Sequence, residues 1–142
     1  MSARTVIARP SPLEFVPART ALVVNDMQNA FCSPGGYLER IGFSIADAPA
    51  VIAKVRLLCE AARQAGLTVV HLQNGFSKDR HEAPPGAPIF HKSNALRYMR
   101  AHPQTVGQIL THGTWDYDFV DGLAPCEGDL VIAKSRDSGF AG

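Results

Sequence analysis

Along this chain the apolar positions fall into three short continuous runs separated by patterns of a different period. Ala21-Leu22-Val23-Val24-Asn25 is apolar almost throughout and ends on Asp26. A run without alternation predicts a strand covered on both faces, as in a parallel sheet. Between Asp47 and Gly66 the pattern changes. Ile52, Val55, Cys59 and Ala62 recur at three- and four-residue spacing, while Lys54, Arg56, Glu60 and Arg63 fall elsewhere. This is an amphipathic helix, with Asp47 as its N-cap, Pro49 in the first turn and Gly66 as its stop. A second strand over Leu67–Leu72 follows directly. Strand, helix, glycine and strand together predict a right-handed βαβ crossover.

The pattern weakens from Gln73 to Asp129. Pro84-Pro85-Gly86 reads as loop, Asn94–Arg100 as a short helix, and Val106–Leu110 and Tyr117–Leu123 as further helical turns. Leu130–Ala133 is the third apolar run, followed by Lys134. Before the first strand, Pro10, Pro12 and Pro17 predict an extended lead-in over residues 1–19. The expectation is one α/β domain over residues 1–142, a Rossmann-like parallel sheet with flanking helices that breaks off after its third strand.

Composition narrows the function classes. Fourteen Lys and Arg against thirteen Asp and Glu, in 142 residues, leave a net charge of +1. That balance argues against a nucleic-acid-binding arm. No apolar run approaches the ~18 residues of a membrane span, and Met1–Pro10 lacks the apolar core of a secretory signal. A cytoplasmic location is expected. Cys32, Cys59 and Cys126 form no CxxC pair, so neither a disulfide framework nor a zinc knuckle is indicated. His71, His81, His91, His102 and His112 show no metal-ligand spacing, and no phosphate loop or GxSxG elbow is present. No metal and no cofactor are expected.

Asp26 and Lys134 each stand at the carboxyl end of an apolar run, the edge at which open parallel sheets bind ligands. An acid and a lysine converging there can hold a base and offer a cation to developing negative charge. The plainer alternative is a strand-end cap and a solvated lysine.

The residues also carry a resemblance. Ala21-Leu22-Val23-Val24-Asn25-Asp26-Met27-Gln28-Asn29-Ala30-Phe31 resembles the opening strand and acidic motif of the isochorismatase-like cysteine hydrolases. Gln73-Asn74-Gly75-Phe76, His91-Lys92-Ser93-Asn94-Ala95-Leu96, Trp115-Asp116-Tyr117 and Lys134-Ser135-Arg136-Asp137-Ser138-Gly139-Phe140 resemble, in order, its branch acting on ureido compounds in pyrimidine degradation. The resemblance implies an amidohydrolase of a small ureido or amide substrate, assembled as a homo-oligomer. Asp26 then matches the general base and Lys134 the catalytic lysine. Asn74, Phe76, Ser93 and Asn94 match substrate-pocket positions. Asn and Ser offer the donors and acceptors a ureido group needs, although both also stabilise loops.

The family's nucleophilic cysteine lies in a Val-Cys motif after a further strand, and residues 1–142 contain none. Cys59 lies on the helix stripe and Cys126 precedes the third strand. Cys32 alone falls in a loop at the right edge, yet the family's version of that loop does not use it. The nucleophile is therefore expected beyond Gly142. The rival readings are a non-catalytic module that pairs with a full-length subunit, or another amidase of the same family. Trp115 and Tyr117 are weaker candidates for cleft walls, with Gln28 and Tyr37 weaker still.

Overall fold

The computed structural model describes residues 2–141. Strand β1 (Arg4–Val6) pairs antiparallel with β2 (Leu13–Phe15), so the lead-in is a small ribbon and not merely extended chain. The central sheet is parallel, with β3 (Ala21–Asn25), β4 (Thr68–Asn74) and β5 (Leu130–Lys134) in that order and β4 in the middle. Both α/β class and parallel sheet follow the sequence expectation. Two strands run further than their apolar stretches do. β4 takes in Gln73 and Asn74, and β5 takes in Lys134, which pairs in register with Asn74.

Helices α1 (Asn29–Cys32) and α2 (Tyr37–Arg40) follow β3, one on each side of the Ser33–Gly36 turn. Helix α3 (Ala48–Ala65) fills the β3-to-β4 crossover. It ends on Gly66 at φ +82°, a left-handed stop that glycine adopts without a Cβ penalty. Asp47 stands at its N-cap position, but its side chain caps nothing. The predicted stripe is the buried one: Cys59 and Ala62 pack with Val24 and Val69, flanked by Val55 and Leu22. On the far face of the sheet Val23, Leu130 and Ile132 are exposed, while Leu72, the register partner of Ile132, is covered by the turn at Gly139.

After β4 come α4 (Pro88–Lys92) and α5 (Asn94–Ala101). Ser93 Oγ caps α5 by accepting from Leu96 N–H at 3.3 Å. The helical turns expected over Val106–Leu110 and Tyr117–Leu123 do not form; these segments are turns and loop. Their backbone is committed elsewhere. The buried carboxylate of Asp116 accepts from Leu110 N–H at 2.7 Å and from Tyr37 N–H at 3.0 Å. Burial pushes the Asp116 carboxyl up, and the two amides act against that rise. Phe76 likewise donates its N–H to Leu110 O at 2.8 Å. The irregular segment thereby closes a second core over the strand ends, built on Phe76, Leu96, Met99, Ile109 and Leu110.

At the opposite end of the sheet, buried His71 bonds Asp129 through Nε2 at 3.2 Å, while its Nδ1 has no partner among the described residues. Arg63 forks onto both Asp129 oxygens, at 3.0 and 2.5 Å. That guanidinium, more than any other contact, holds the Asp129 carboxyl down to about 2. A carboxyl depressed below its unfolded value of about 3.9 stabilises the fold above that pH and loses the contribution as pH falls towards about 2. Asp129→Asn is expected to cost about 1–3 kcal/mol at neutral pH. It should also flatten the fall in stability between about pH 4 and 2, as read from urea melts over a pH series.

Candidate active site

Strand β3 delivers Asp26 and β5 delivers Lys134 to one rim, on either side of β4. Asp26 holds φ at +55°, an uncommon conformation for a residue with a Cβ and one that tends to mark functional positions. Its backbone is fixed there, donating N–H to Leu72 O at 3.0 Å and accepting from Gln28 N–H at 2.8 Å. Lys134 Nζ lies 2.8 Å from Asp26 Oδ2 and donates also to Asp137 O at 3.0 Å and Arg136 O at 3.4 Å. The lysine side chain is only 2% exposed and that of Asp26 19%. An ammonium so buried needs these acceptors.

The two carboxylate oxygens of Asp26 differ. Oδ2 is held by Lys134 and, at 3.0 Å, by Asn25 Nδ2. Oδ1 is buried and has no hydrogen-bond partner among the described residues. A lone buried acceptor is costly, about 1–3 kcal/mol, and in native structures calls for a functional reason. Chemically it is a proton acceptor with nothing yet to accept.

Beside the pair lies a cavity of about 200 Å³. Asn74, Phe76, Ser93 and Asn94 all line it, so the four expected pocket positions converge. Asp26 and Lys134 do not line it. They adjoin it through Asn74, the register partner of Lys134, and through the Ser135–Asp137 turn that Lys134 grips. Ser93 serves the wall and the α5 cap at once. Trp115 does not wall this cavity; it is 51% exposed beside a separate depression with Arg40 and Gln108. Tyr117 is buried behind the site instead. A Cβ on Gly75 would fall 2.5 Å from its ring, so glycine at 75 is what admits it.

Several contributors were missed or undervalued in the sequence. Tyr37 and Phe31 form apolar wall, and Lys92, Arg136 and Asp137 bring charge. The last three stand inside recognised motifs, but single charges in a loop carry no periodic signal. Gln28 is fully buried and braces the rim. Its Nε2 donates to Tyr117 O at 2.7 Å and Asn74 O at 3.0 Å, and its Oε1 accepts from Asn74 N–H at 2.7 Å. Gln73 Nε2 reaches the same Tyr117 carbonyl at 3.0 Å.

None of the three cysteines is presented as a nucleophile. Cys59 is packed against the sheet and Cys126 lies at the opposite end, before β5. Cys32 is half-buried, makes no hydrogen bond to Asp26, and burial pushes its thiol up, away from the thiolate. Among the described residues no three His, Cys, Asp or Glu side chains converge as a metal site.

The isochorismatase domain pattern matches residues 20–142. The chain belongs to the isochorismatase family. It is 54% identical over 134 residues to the ureidoacrylate amidohydrolase RutB of Azorhizobium caulinodans, covering 94% of this chain and 59% of that protein. It is 49% identical over 141 residues to RutB of Cronobacter turicensis, covering 99% and 61%. The chain thus spans about three fifths of the length of these relatives. Among solved structures, a cysteine hydrolase from Pseudomonas syringae pv. phaseolicola superposes with a TM-score of 0.67 at 27% identity, covering 89% of this chain and 51% of that one. N-carbamoylsarcosine amidase from Thermoplasma acidophilum gives 0.55 at 26%, covering 87% and 56%.

Because buried Gln28 bonds three backbone groups of the rim and shares only the Tyr117 carbonyl with Gln73, Gln28→Leu should be expensive despite its similar volume. A loss of about 2–4 kcal/mol is expected. It should appear as a lower denaturation midpoint with an unchanged slope.

Proposed function

We propose that this chain carries the acid and the lysine of a cysteine amidohydrolase that cleaves a C–N bond in a small ureido or carbamoyl compound. The observation that carries the reading is the division of labour within one carboxylate: Oδ2 of Asp26 is engaged by Lys134 while the buried Oδ1 is free to take a proton. Support comes from the names of the relatives, which act on ureidoacrylate and on N-carbamoylsarcosine. In this reading residues 20–142 are the greater part of one catalytic domain, active in the cytoplasm. No helix among the described residues is long and apolar enough to cross a membrane.

The nucleophilic thiol enters from outside residues 1–142. Asp26 Oδ1 removes its proton, and the thiolate attacks the ureido carbonyl. Lys134 orients the acid through its Oδ2 contact and offers positive charge near the developing oxyanion. As the C–N bond breaks, the leaving amine takes the proton back from Asp26. A water molecule then hydrolyses the carbamoyl thioester, releasing carbamate, which falls apart to ammonia and carbon dioxide. Asn74, Ser93 and Asn94 hold the ureido group by its donors and acceptor, and Phe76 walls its plane.

The test is ammonia release from ureido compounds by the full-length protein. Asp26→Asn should lower kcat by about 10³-fold or more. Turnover within tenfold of wild type overturns the assignment.

A second reading, a non-catalytic module that associates with a full-length subunit, draws on the exposed apolar residues Val23, Leu130 and Ile132 of the sheet. It predicts that the 142-residue chain elutes with a full-length subunit as a stable complex. Separate elution removes it.

A further inference from the structure

Helices α4 and α5 contribute to two cavities with different residues. Ile89, Ser93 and Ala95 line the one beside the Asp26–Lys134 pair, while Phe90, Leu96 and Arg100 line another of about 440 Å³. The two have no lining residue in common. The larger cavity is completed by the loop after β4, with residues between Asp79 and Pro85. Its volume falls within the ~300–1,000 Å³ usual for small-molecule sites. Nothing in the amide-cleaving chemistry uses it.

Its lining carries two cations, Arg80 and Arg100, the imidazole of His81 and one carboxylate, Asp79. That carboxylate is engaged locally, with Oδ1 2.6 Å from Ser77 Oγ and 3.0 Å from His81 Nδ1. Glu82, the other acid of the loop, accepts from Ser77 N–H at 3.1 Å and does not line the cavity. Neither arginine forms an ion pair with any described residue. The cavity thus holds two guanidiniums without a counter-ion.

The two are held in different ways. Arg80 takes φ +54°, a left-handed backbone that is costly for a residue with a Cβ. Its own peptide groups keep it there, donating N–H to Ser77 O at 3.0 Å and accepting from Ala83 N–H at 2.9 Å. Its half-buried side chain, however, bonds nothing among the described residues. Strain kept at a residue whose side chain adds nothing to the fold marks a functional position. Arg100 is placed over Phe90, with Cζ 4.3 Å from the ring centroid, and donates through Nη1 to Phe90 O at 2.5 Å. Those contacts fix the guanidinium without neutralising it, and the side chain remains exposed. Leu96 and the Pro84-Pro85 pair add apolar lining.

An arginine forks onto a carboxylate with two parallel N–H···O bonds, and a guanidinium also stacks on an aromatic face. Phe90, Leu96 and the prolines supply apolar surface for a ring. We propose that this cavity is a second ligand site, separate from the active-site cavity, that binds a small aromatic carboxylate through Arg80 and Arg100. With His81 neutral, two guanidiniums less the Asp79 carboxylate leave one net positive charge, which a monoanion matches. The site does not depend on the ureido reading.

The test is calorimetric titration of the full-length protein with benzoate at low salt. Benzamide keeps the ring without the charge, and acetate keeps the charge without the ring. Each should bind about tenfold or more weakly than benzoate. Arg80→Gln should weaken benzoate about five- to tenfold, less than a fully buried charged bond because the site is partly exposed. Arg100→Gln should do the same, and Arg80→Lys should recover only part of the loss, since lysine lacks the planar fork. Thermal melts of Arg80→Gln should match wild type, because that guanidinium bonds nothing. This variant decides the matter if Arg100→Gln, which also loses the Phe90 contact, is unstable. Asn74→Ala, in the wall of the other cavity, should leave benzoate affinity unchanged. Benzoate that fails to bind, or whose affinity is unmoved by Arg80→Gln or falls with Asn74→Ala instead, overturns the site. Benzamide, acetate or inorganic phosphate binding as tightly as benzoate overturns the aromatic-acid assignment.

Discussion

The contact between Lys134 Nζ and Asp26 Oδ2, at 2.8 Å, joins residues 108 positions apart and spans the central strand of the sheet. A primary ammonium with only 2% of its side chain exposed is unfavourable without acceptors, and here it has three: the carboxylate and the carbonyls of Arg136 and Asp137. Satisfying that charge shapes the rim. It draws the turn after β5 back over the strand ends, which forms one wall of the cavity. It also occupies one oxygen of Asp26 and leaves the other idle. Replacing the carboxylate removes the unpartnered oxygen and strands a buried cation together, so effects on activity and on fold need separate readouts.

Around that contact the molecule divides into two cores with different duties. The helix-on-sheet core of Val24, Cys59, Ala62 and Val69 sets the strand register. The second core, over Phe76, Leu96, Met99 and Leu110, has little regular structure and rests on backbone bonds to buried polar side chains. Asp116 and Gln28 do there what helical ladders do elsewhere, tying loop amides and carbonyls into place. The walls of the cavity belong to this second core. Their precision therefore depends on polar bonds more than on packed helices.

This division explains what could be read from residue order. The first strand, α3 and its buried stripe, and the convergence of Asp26 with Lys134 follow from apolar runs, a 3.6-residue period and the rule that parallel sheets bind at their carboxyl ends. The extension of β4 through Gln73 and Asn74 was hidden because those residues are polar. They stay in the strand because Tyr117 O and Gln28 satisfy them. The segment from Val106 to Leu123 holds enough apolar residues to suggest helix, but Asp116 captures the amide of Leu110 and fixes a loop. The ribbon of β1 and β2 is too short, at three residues a strand, to leave an alternating signature.

The most direct measurement is a high-resolution crystal structure of the full-length protein, read at Asp26 Oδ1. The account predicts a cysteine sulfur within hydrogen-bond reach of that oxygen, with the Lys134 contact at Oδ2 retained. A backbone amide or other protein donor already bonded to Oδ1, or a nucleophilic thiol on another rim of the sheet, contradicts it.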